Sequence, residues 1–540
     1  MRTATRRLKF AAGALLFLLL LPLQPSAQKF YNDDPLAKEP KPRAVTTVSS
    51  GKVSEASDFI QNSFSKLGER HTKDNLIRAR GINTLDEVPD SSWYTNRHYK
   101  NSMTIDELVR GPERDGPPAK EGTWKVVAAK TEGVTPGFTI EDSRGRKYVL
   151  KFDPMSNPEM ASAADVITSK FFYILGYNVP ENYIVYFDRQ RLVVAADAKV
   201  NSPITDRDID EMLHRVPRDP RKGYRAMASR FISGEILGPF SYYSTREDDP
   251  NDIVPHEHRR ELRGLFVFAA WLGHTDAKSL NTLDTVVEED GTRYVKHYLV
   301  DFGSSLGSAA YGTKDARTGH EYFLEWGPGA LQAVTLGLYV PDWARADYGG
   351  IRSVGRFEWE VFEPEEWKPN YPVPAFDNRL PDDAFWAAKQ VMAFTDEQIR
   401  AIVKTGAFSD PEAEEWIAEC LIERRNKIGK AYFAQLLPLD RFAVKDGLVV
   451  FENLAVKYGW NAAPNYVVQW SRFNNDTEGK SPLPHETTFA LPRQLVEGSS
   501  DNYFAADIHA GDTTHTVTVY LRKRPNGVEV VGVERTWPTT

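Results

Sequence analysis

The chain reads as an α+β fold with an additional all-β domain at its C-terminal end. Three observations predict this. Between Thr123 and Ala196, short β-branched and aromatic runs are interrupted by one stretch of helical periodicity. Helical spacing marks Glu257–Leu272, resumes at Asp383 after a Gly- and Trp-rich stretch without clear periodicity and runs to about Phe433, and from about Leu437 the apolar runs alternate at strand spacing. The 540 residues suffice for several domains. They divide as a leader (1–27), an N-terminal extension with a linker (28–118), a strand-rich unit (119–242), a helical unit (243–436) and the all-β domain (437–540).

The leader, Met1–Ala27, has a basic start (Arg2, Arg6, Arg7, Lys9), an apolar run from Phe10 to Leu21 and a small-residue end, Pro25-Ser26-Ala27. That is the pattern of a secretory signal peptide, cleaved after about Ala27. The run is short of the roughly 20 residues a bilayer span needs, so no stable membrane span is expected after cleavage. Removing its four basic residues takes the formal net charge from −8 to −12. An acidic chain without basic clusters excludes nucleic acid as the main partner. A lone cysteine, Cys420, forms no internal disulfide, so core burial alone must hold the protein together. Together these place it in a bacterial periplasm or among secreted proteins.

Gln28–Pro118 is polar and broken by Pro and Gly, with a flexible linker to about Arg43 and a helix from Ser54 to Leu67. Trp93 is expected to pin its loop to a core. Strands follow at Trp124–Ala129, Phe138–Glu141 and Lys147–Phe152, with Ser143-Arg144-Gly145-Arg146 as the tight turn. Strand alternation puts Lys151 on the face opposite Leu150 and Phe152. Asn157 as N-cap and Pro158 at the first position open a helix whose apolar residues run from Met160 to Leu175, stopped by Gly176. Tyr183–Phe187, Arg191–Ala196 and Met227–Ile236 read as strands, and Asn201–Arg221 as a charged surface insertion. The Glu257–Leu272 helix has a broad apolar face. Thr395-Asp396-Glu397-Gln398 is a capping box, and Asp410-Pro411 starts a helix running to about Phe433.

Chemistry concentrates between Leu272 and Gly303. One polar island reads His274-Thr275-Asp276-Ala277-Lys278-Ser279-Leu280-Asn281, and the second reads Asp301-Phe302-Gly303. Phosphoryl transfer from ATP needs cations on the phosphates, a hard metal on oxygen ligands and a carboxylate to position the nucleophile. Asn281 and Asp301 supply oxygen ligands for Mg²⁺ or Mn²⁺. Asp276 is the candidate base, Lys278 reaches the transferred phosphate, and Lys151 holds the α- and β-phosphates, fixed by an acid on the next helix. His274 is read as structural rather than as a base. His256-Glu257-His258 has the wrong spacing for joint tetrahedral ligation.

In order and residue type these motifs resemble the protein-kinase signature set. The first island matches the catalytic loop H-R-D-L-K-x-x-N at His, Asp, Lys and Asn; Asp301-Phe302-Gly303 is the metal-binding triplet; Tyr148-Val149-Leu150-Lys151 resembles the lysine strand. The resemblance implies a bilobal protein-kinase-like fold over roughly Thr123–Phe433, with 119–242 as N-lobe and 243–436 as C-lobe. Thr275 replaces the loop arginine, and no A-P-E triplet follows Gly303. A long hairpin separates Asn281 from Asp301, and only Gly133 and Gly137 remain of the nucleotide-covering glycine loop. These departures are similar to the divergent HipA-like and the secreted Fam20- or CotH-like kinases. Glu159…Leu175-Gly176-Tyr177-Asn178-Val179-Pro180-Glu181 resembles their E…LG…VPE pattern and implies Glu159 as the partner of Lys151, with Asp165 as the alternative.

The expected activity is therefore that of an exported, Mg-dependent phosphotransferase moving the ATP γ-phosphate to a hydroxyl of a protein, glycan or small-molecule acceptor. Two alternatives stay open from the sequence: a non-catalytic kinase-like scaffold, and AMP transfer with the nucleotide reversed.

Overall fold

The computed structural model describes residues 28–65, 67–72, 74–129, 137–195, 204–325 and 340–538. The expected leader, Gly133 and the stretch Trp326-Gly327-Pro328-Gly329 lie outside the described residues.

The first sheet is built from β1 (Trp124–Ala129), β2 (Gly137–Glu141), β3 (Lys147–Lys151), β4 (Asn182–Phe187), β5 (Leu192–Val194), β6 (Arg218–Asp219) and β7 (Gly223–Arg230). Its order is β4-β7-β3-β2-β1-β5, with β6 on β7. The Asp142 carboxylate accepts from the backbone N–H groups of Arg144 and Arg146, both at 2.9 Å, and so closes the β2–β3 turn. Leu150 and Phe152 enter a core with Trp124, Val126, Phe138, Ile140 and Phe187.

Two expectations change here. The described part of the charged insertion forms a helix, Asp206–Leu213, capped by Thr205, and its Ile209 and Leu213 are buried in the sheet core. Charged residues on its outer face concealed that stripe. The expected Met227–Ile236 strand is two strands: β7 stays in the first sheet, and β8 (Glu235–Gly238) pairs elsewhere. Gly234 makes the break. Its φ is +105°, and a Cβ there would meet the Val286 carbonyl oxygen at 2.4 Å.

The helix behind the sheet runs Met160–Ile174, and every residue except Tyr173 is buried. It lies between the sheet and a helical layer formed by Arg260–Leu272, Pro381–Val391, Asp396–Val403 and Pro411–Phe433, with which it shares one core. Its start differs from expectation. Asn157 gives its side chain to the Arg352 carbonyl, and the first turn is held by Asp153, whose carboxylate accepts from Ser162 N at 2.8 Å and Ser162 Oγ at 2.7 Å. The capping box at Thr395 is present, as is the Asp410 cap on the Pro411–Phe433 helix. Cys420 is buried with its thiol against the Phe357 carbonyl.

Separate β sheets occupy the C-terminal region. β11 (Leu439–Lys445) and β12 (Leu448–Asn453) form a hairpin. β13 (Val467–Phe473), β14 (Lys480–Pro482), β15 (Tyr503–Ala510), β16 (Asp512–Arg524) and β17 (Gly527–Arg535) form an antiparallel sheet ordered β14-β13-β15-β16-β17. Their core is distinct from the helical one.

The segment expected as a flexible linker packs on this sheet. Phe30 is buried among Phe473, Tyr503 and Tyr520, and the Arg522 guanidinium donates to the carbonyls of Tyr31 and Asp34. Polar composition hid one aromatic anchor and a row of carbonyl acceptors. Trp93 pins its loop as expected, stacked on His297 at 3.5 Å between ring centroids. Among the described residues no helix is long and apolar enough to cross a membrane.

Candidate active site

Lys151 ends β3, between Gly137 of β2 and Met227 of β7 in register. Because strand residues alternate, its side chain leaves the sheet toward the Met160–Ile174 helix. Its Nζ donates to Asp165 Oδ2 at 3.3 Å and to Asp301 Oδ1 at 2.6 Å. Burial works against the charged amine, but the Asp165 and Asp301 carboxylates outweigh it and raise its pKa, so Lys151 is a fixed cation. Asn182 on β4 donates to the other Asp165 oxygen at 2.8 Å. Asp165 thus has a donor on each oxygen, as a buried carboxylate requires.

Glu159 is not the partner of Lys151. It precedes the first helical turn with φ +71°, and its carboxylate accepts from Ser409 N at 2.8 Å and Ser409 Oγ at 3.0 Å. The helix begins too late for Glu159 to face β3; Asp165, farther along, lies on the facing side. A signal for Asp165 was present, since an acid in the middle of the apolar repeat of a helix meant for burial must have a partner.

The first polar island begins where Gly273, in the left-handed region with φ +59°, ends the Arg260–Leu272 helix. His274 is packed between the rings of Phe172 and Phe302, at 5.6 and 5.8 Å. Burial, then the nearby Lys314 charge, pull its pKa down to about 4, so it stays neutral and structural. Asp276 is held from three sides. Asn281 Nδ2 donates to its backbone oxygen at 2.8 Å and to Oδ2 at 3.0 Å, Asn370 Nδ2 donates to Oδ1 at 3.2 Å, and Lys278 Nζ lies 3.2 Å from Oδ1. Sequence reasoning missed Asn370. It lies in a stretch without periodicity, and only its backbone N–H bond to the Thr275 carbonyl, 2.8 Å, brings it here.

The long hairpin between the islands has a geometric consequence. β9 (Thr282–Glu289) and β10 (Thr292–Leu299) pair with Thr282 opposite Leu299, and Val300 N donates to the Asn281 carbonyl at 2.9 Å. The open end of the hairpin therefore brings Asn281 to the residue before Asp301. Asp301 has φ +62°, and Phe302, wholly buried, stacks on Phe172 at 5.2 Å. The ring is a hydrophobic plug that holds the backbone while the Asp301 side chain stays about half exposed toward Lys151.

These residues fit a hard divalent metal. The Asn281 amide nitrogen is spent on Asp276, which leaves its oxygen as the available ligand atom beside a carboxylate that water can reach. Two such oxygens, completed by phosphate and water, are what Mg²⁺ or Mn²⁺ takes. The other candidates do not assemble into a metal centre. His256 bonds Asp252 and the Ser241 carbonyl, His258 bonds Glu69 and Arg263, and among the described residues no group of three or more His, Cys, Asp or Glu could hold a metal. Of the glycines, Gly137 opens β2 opposite Lys151, while Gly133 lies outside the described residues.

Lys278 has a second partner from the N-terminal extension. The helix Glu55–Phe64 places Glu55 Oε1 2.7 Å from Lys278 Nζ, while Asp58 accepts from the Tyr371 hydroxyl at 2.6 Å. Glu55 is mostly exposed, so this pair is weak. Glu55→Gln is expected to raise amine labelling of Lys278, read by mass spectrometry, between about 1.4- and 5-fold, the range a surface pair supports. Unchanged labelling would show that the pair does not form in solution.

No protein-family model matches the chain, and no curated protein does. Solved structures of kinases are among those it resembles. The Helicobacter pylori proinflammatory kinase CtkA matches over 59% of this chain and 97% of its own, with 12% identity and a TM-score of 0.32. Golgi casein kinase with Mn and ADP bound matches over 61% of this chain and 74% of its own, with 9% identity and a TM-score of 0.30. A second Golgi casein kinase structure matches over 76% and 95%, with 11% identity and a TM-score of 0.31. The fold itself is mixed α/β with separate C-terminal sheets. With TM-scores no higher than 0.32, the functional reading rests on the geometry of the site.

Proposed function

We propose that the protein is an exported, metal-dependent phosphotransferase of the kinase-like kind, acting on an acceptor hydroxyl outside the cytoplasm. One observation carries the reading. Lys151, from the sheet, and Asp301, from the end of the hairpin, meet at 2.6 Å, and that hairpin also brings Asn281 and Asp276 to the same place. Four residues from three separate stretches converge on the layout that ATP-dependent transfer needs.

In this reading Lys151 binds the α- and β-phosphate oxygens, and Asp165 keeps it charged and aimed. Asn281 and Asp301 hold the divalent metal, which when bound neutralises charge on the phosphates. Asp276, oriented by Asn281 and Asn370, accepts a hydrogen bond from the acceptor hydroxyl and takes its proton. The bond from the γ-phosphorus to the bridging oxygen breaks, a bond to the acceptor oxygen forms, and ADP leaves with the electron pair. Lys278 stabilises the transferred phosphoryl oxygens. The leader Met1–Ala27 supports export, and the joint presence of Lys151, Asp165, Asp276, Lys278 and Asp301 favours catalysis over a binding scaffold.

Incubation of the protein with ATP labelled at the γ- or α-phosphate, with Mg²⁺ or Mn²⁺, tests this. Transfer of the γ label, lost in Asp301→Ala, is the expected result. Transfer of the α label would replace the reading with AMP transfer. Neither transfer nor nucleotide-dependent thermal stabilisation would make the protein a scaffold.

A further inference from the structure

A buried ammonium joins the two polar islands. Lys314 Nζ donates to the Gly273 carbonyl at 3.1 Å, to Thr275 Oγ1 at 2.7 Å and to the Ser304 carbonyl at 2.6 Å. The first two acceptors flank His274 in the loop that carries Asp276, and the third follows Asp301-Phe302-Gly303. Lys314 is only 8% exposed. Its own backbone is fixed at both ends, its N–H donating to the Gly307 carbonyl at 2.9 Å and its carbonyl accepting from Arg356 at 3.1 Å. Two further bonds seat the segment it bridges: Leu306 N to the Leu272 carbonyl at 2.9 Å, and Ser305 Oγ to Thr168 Oγ1 at 2.6 Å.

Among the described residues no carboxylate hydrogen-bonds this ammonium. Its acceptors are two carbonyls and a hydroxyl, so a charge is kept in the interior without a contacting counterion, at a cost in stability. An apolar side chain would fill the same volume more cheaply if packing were all that was needed. All three N–H bonds are used, and each goes to one of the two islands or to the residue adjoining it. We infer that Lys314 is a positioning residue, an internal three-way tie that fixes the Asp276 loop against the Asp301 segment. Thr275, which stands where the protein-kinase signature carries arginine, is one of its three anchors. The inference rests on the phosphotransferase reading for its catalytic consequence, though not for the tie itself.

The tie depends on its third proton. Burial pulls the Lys314 pKa down to about 7; the nearby Asp276 opposes this and Arg424 adds to it. The remaining groups around it are His274, neutral near pH 7, and Arg356 on the backbone carbonyl of Lys314. Above about pH 7 the amine has lost its charge and one N–H. Its two remaining N–H bonds suit the two carbonyls, and Thr275 is held only if its hydroxyl turns to donate to the amine lone pair. Every bond of the tie loses its charge assistance and weakens.

The test uses the full chain and two variants, Lys314→Met and the milder Thr275→Val, which removes one anchor and no charge. Hydrogen–deuterium exchange is followed in peptides covering 273–282 and 301–314, with the β13–β17 sheet as internal control. At pH 6, Lys314→Met is expected to speed exchange in both peptides by about tenfold or more, with the sheet unchanged; Thr275→Val loosens the first peptide alone. After correction for intrinsic rates, the wild type loosens in both peptides between pH 6 and 8.5, and Lys314→Met shows no such step. Unchanged exchange in either peptide of Lys314→Met, or equal acceleration over the whole chain, overturns the inference.

Kinetics separate this from the parent reading. Where γ-phosphate transfer is observed, Lys314→Met lowers kcat by about 10²-fold with the nucleotide KM within about threefold, the mark of misplacement rather than lost binding. The wild-type kcat falls through about pH 7 and the variant lacks that limb. A wild type without transfer sinks the phosphotransferase reading, while the exchange data still decide the tie.

Discussion

Asp165→Ala is expected to lower γ-phosphate transfer by about 10²–10³-fold, the effect of losing one preorganised charge at the reacting centre. The carboxylate is buried, bonded on one oxygen by Lys151 and on the other by Asn182. Its removal leaves Lys151 with Asp301 alone, and the 2.6 Å contact between them then competes with phosphate and metal for both groups. Glu159→Ala is expected to change transfer by less than about threefold, because Glu159 holds Ser409 at the surface and touches no reacting group. Steady-state kinetics on the two variants decide between the residues. Equal losses, or a larger loss in Glu159→Ala, would restore the pairing implied by the E…LG…VPE resemblance.

Arg260→Met is expected to destabilise the protein by about 3–5 kcal/mol, the cost of stripping buried carboxylates of their cation. Arg260 is wholly buried at the start of the helix that leads to the catalytic loop. Its Nε lies 3.1 Å from Asp383, its Nη2 2.8 Å from Asp382, and its Nη1 bonds the Asp86 carbonyl at 2.9 Å and the Asp86 carboxylate. Asp86 also meets Arg535 of β17 at 3.3 Å. One guanidinium thus joins the N-terminal extension, two helices and, through Asp86, the C-terminal sheet.

The same cluster sets a pH dependence. Burial, then the neighbouring Asp383, push the Asp382 pKa from its ordinary 3.8 up to about 7. A carboxyl group raised in the folded state binds its proton more tightly there than in the unfolded chain. Its stabilising contribution is therefore complete below about pH 4 and is lost as pH rises through about 7. Buried histidines such as His274, whose pKa is lowered, contribute with the opposite sign, so the difference in urea-unfolding stability between wild type and Asp382→Asn is what should decline with pH across that range. A difference that stays constant with pH would remove this group as a source of the dependence.

Much of the site could be read from the chain because its parts are local. His274 to Asn281 and Asp301 to Gly303 are contiguous, and Lys151 is placed by strand alternation. Capping at Thr395 and Asp410 was equally legible, since a cap needs only its own turn. Glu159 failed for a related reason. A motif spaced along the chain does not say on which residue a helix begins, and a late start turned Glu159 away from β3. Asn370 and Lys314 had no local signal, because both lie in stretches without periodicity and act through bonds to residues distant along the chain.

The sequence by itself determined the strands and helices that lead into the site, the two polar islands and the residue types that phosphoryl transfer requires. Those follow from backbone periodicity and side-chain chemistry, which operate over a few residues. Tertiary structure alone decided which acid holds Lys151, that the hairpin closes Asn281 onto the Asp301 segment, and that Lys314 is spent inside rather than in water. Each depends on which buried polar group lies within hydrogen-bond reach of another, and burial imposes that pairing only once distant segments have packed together.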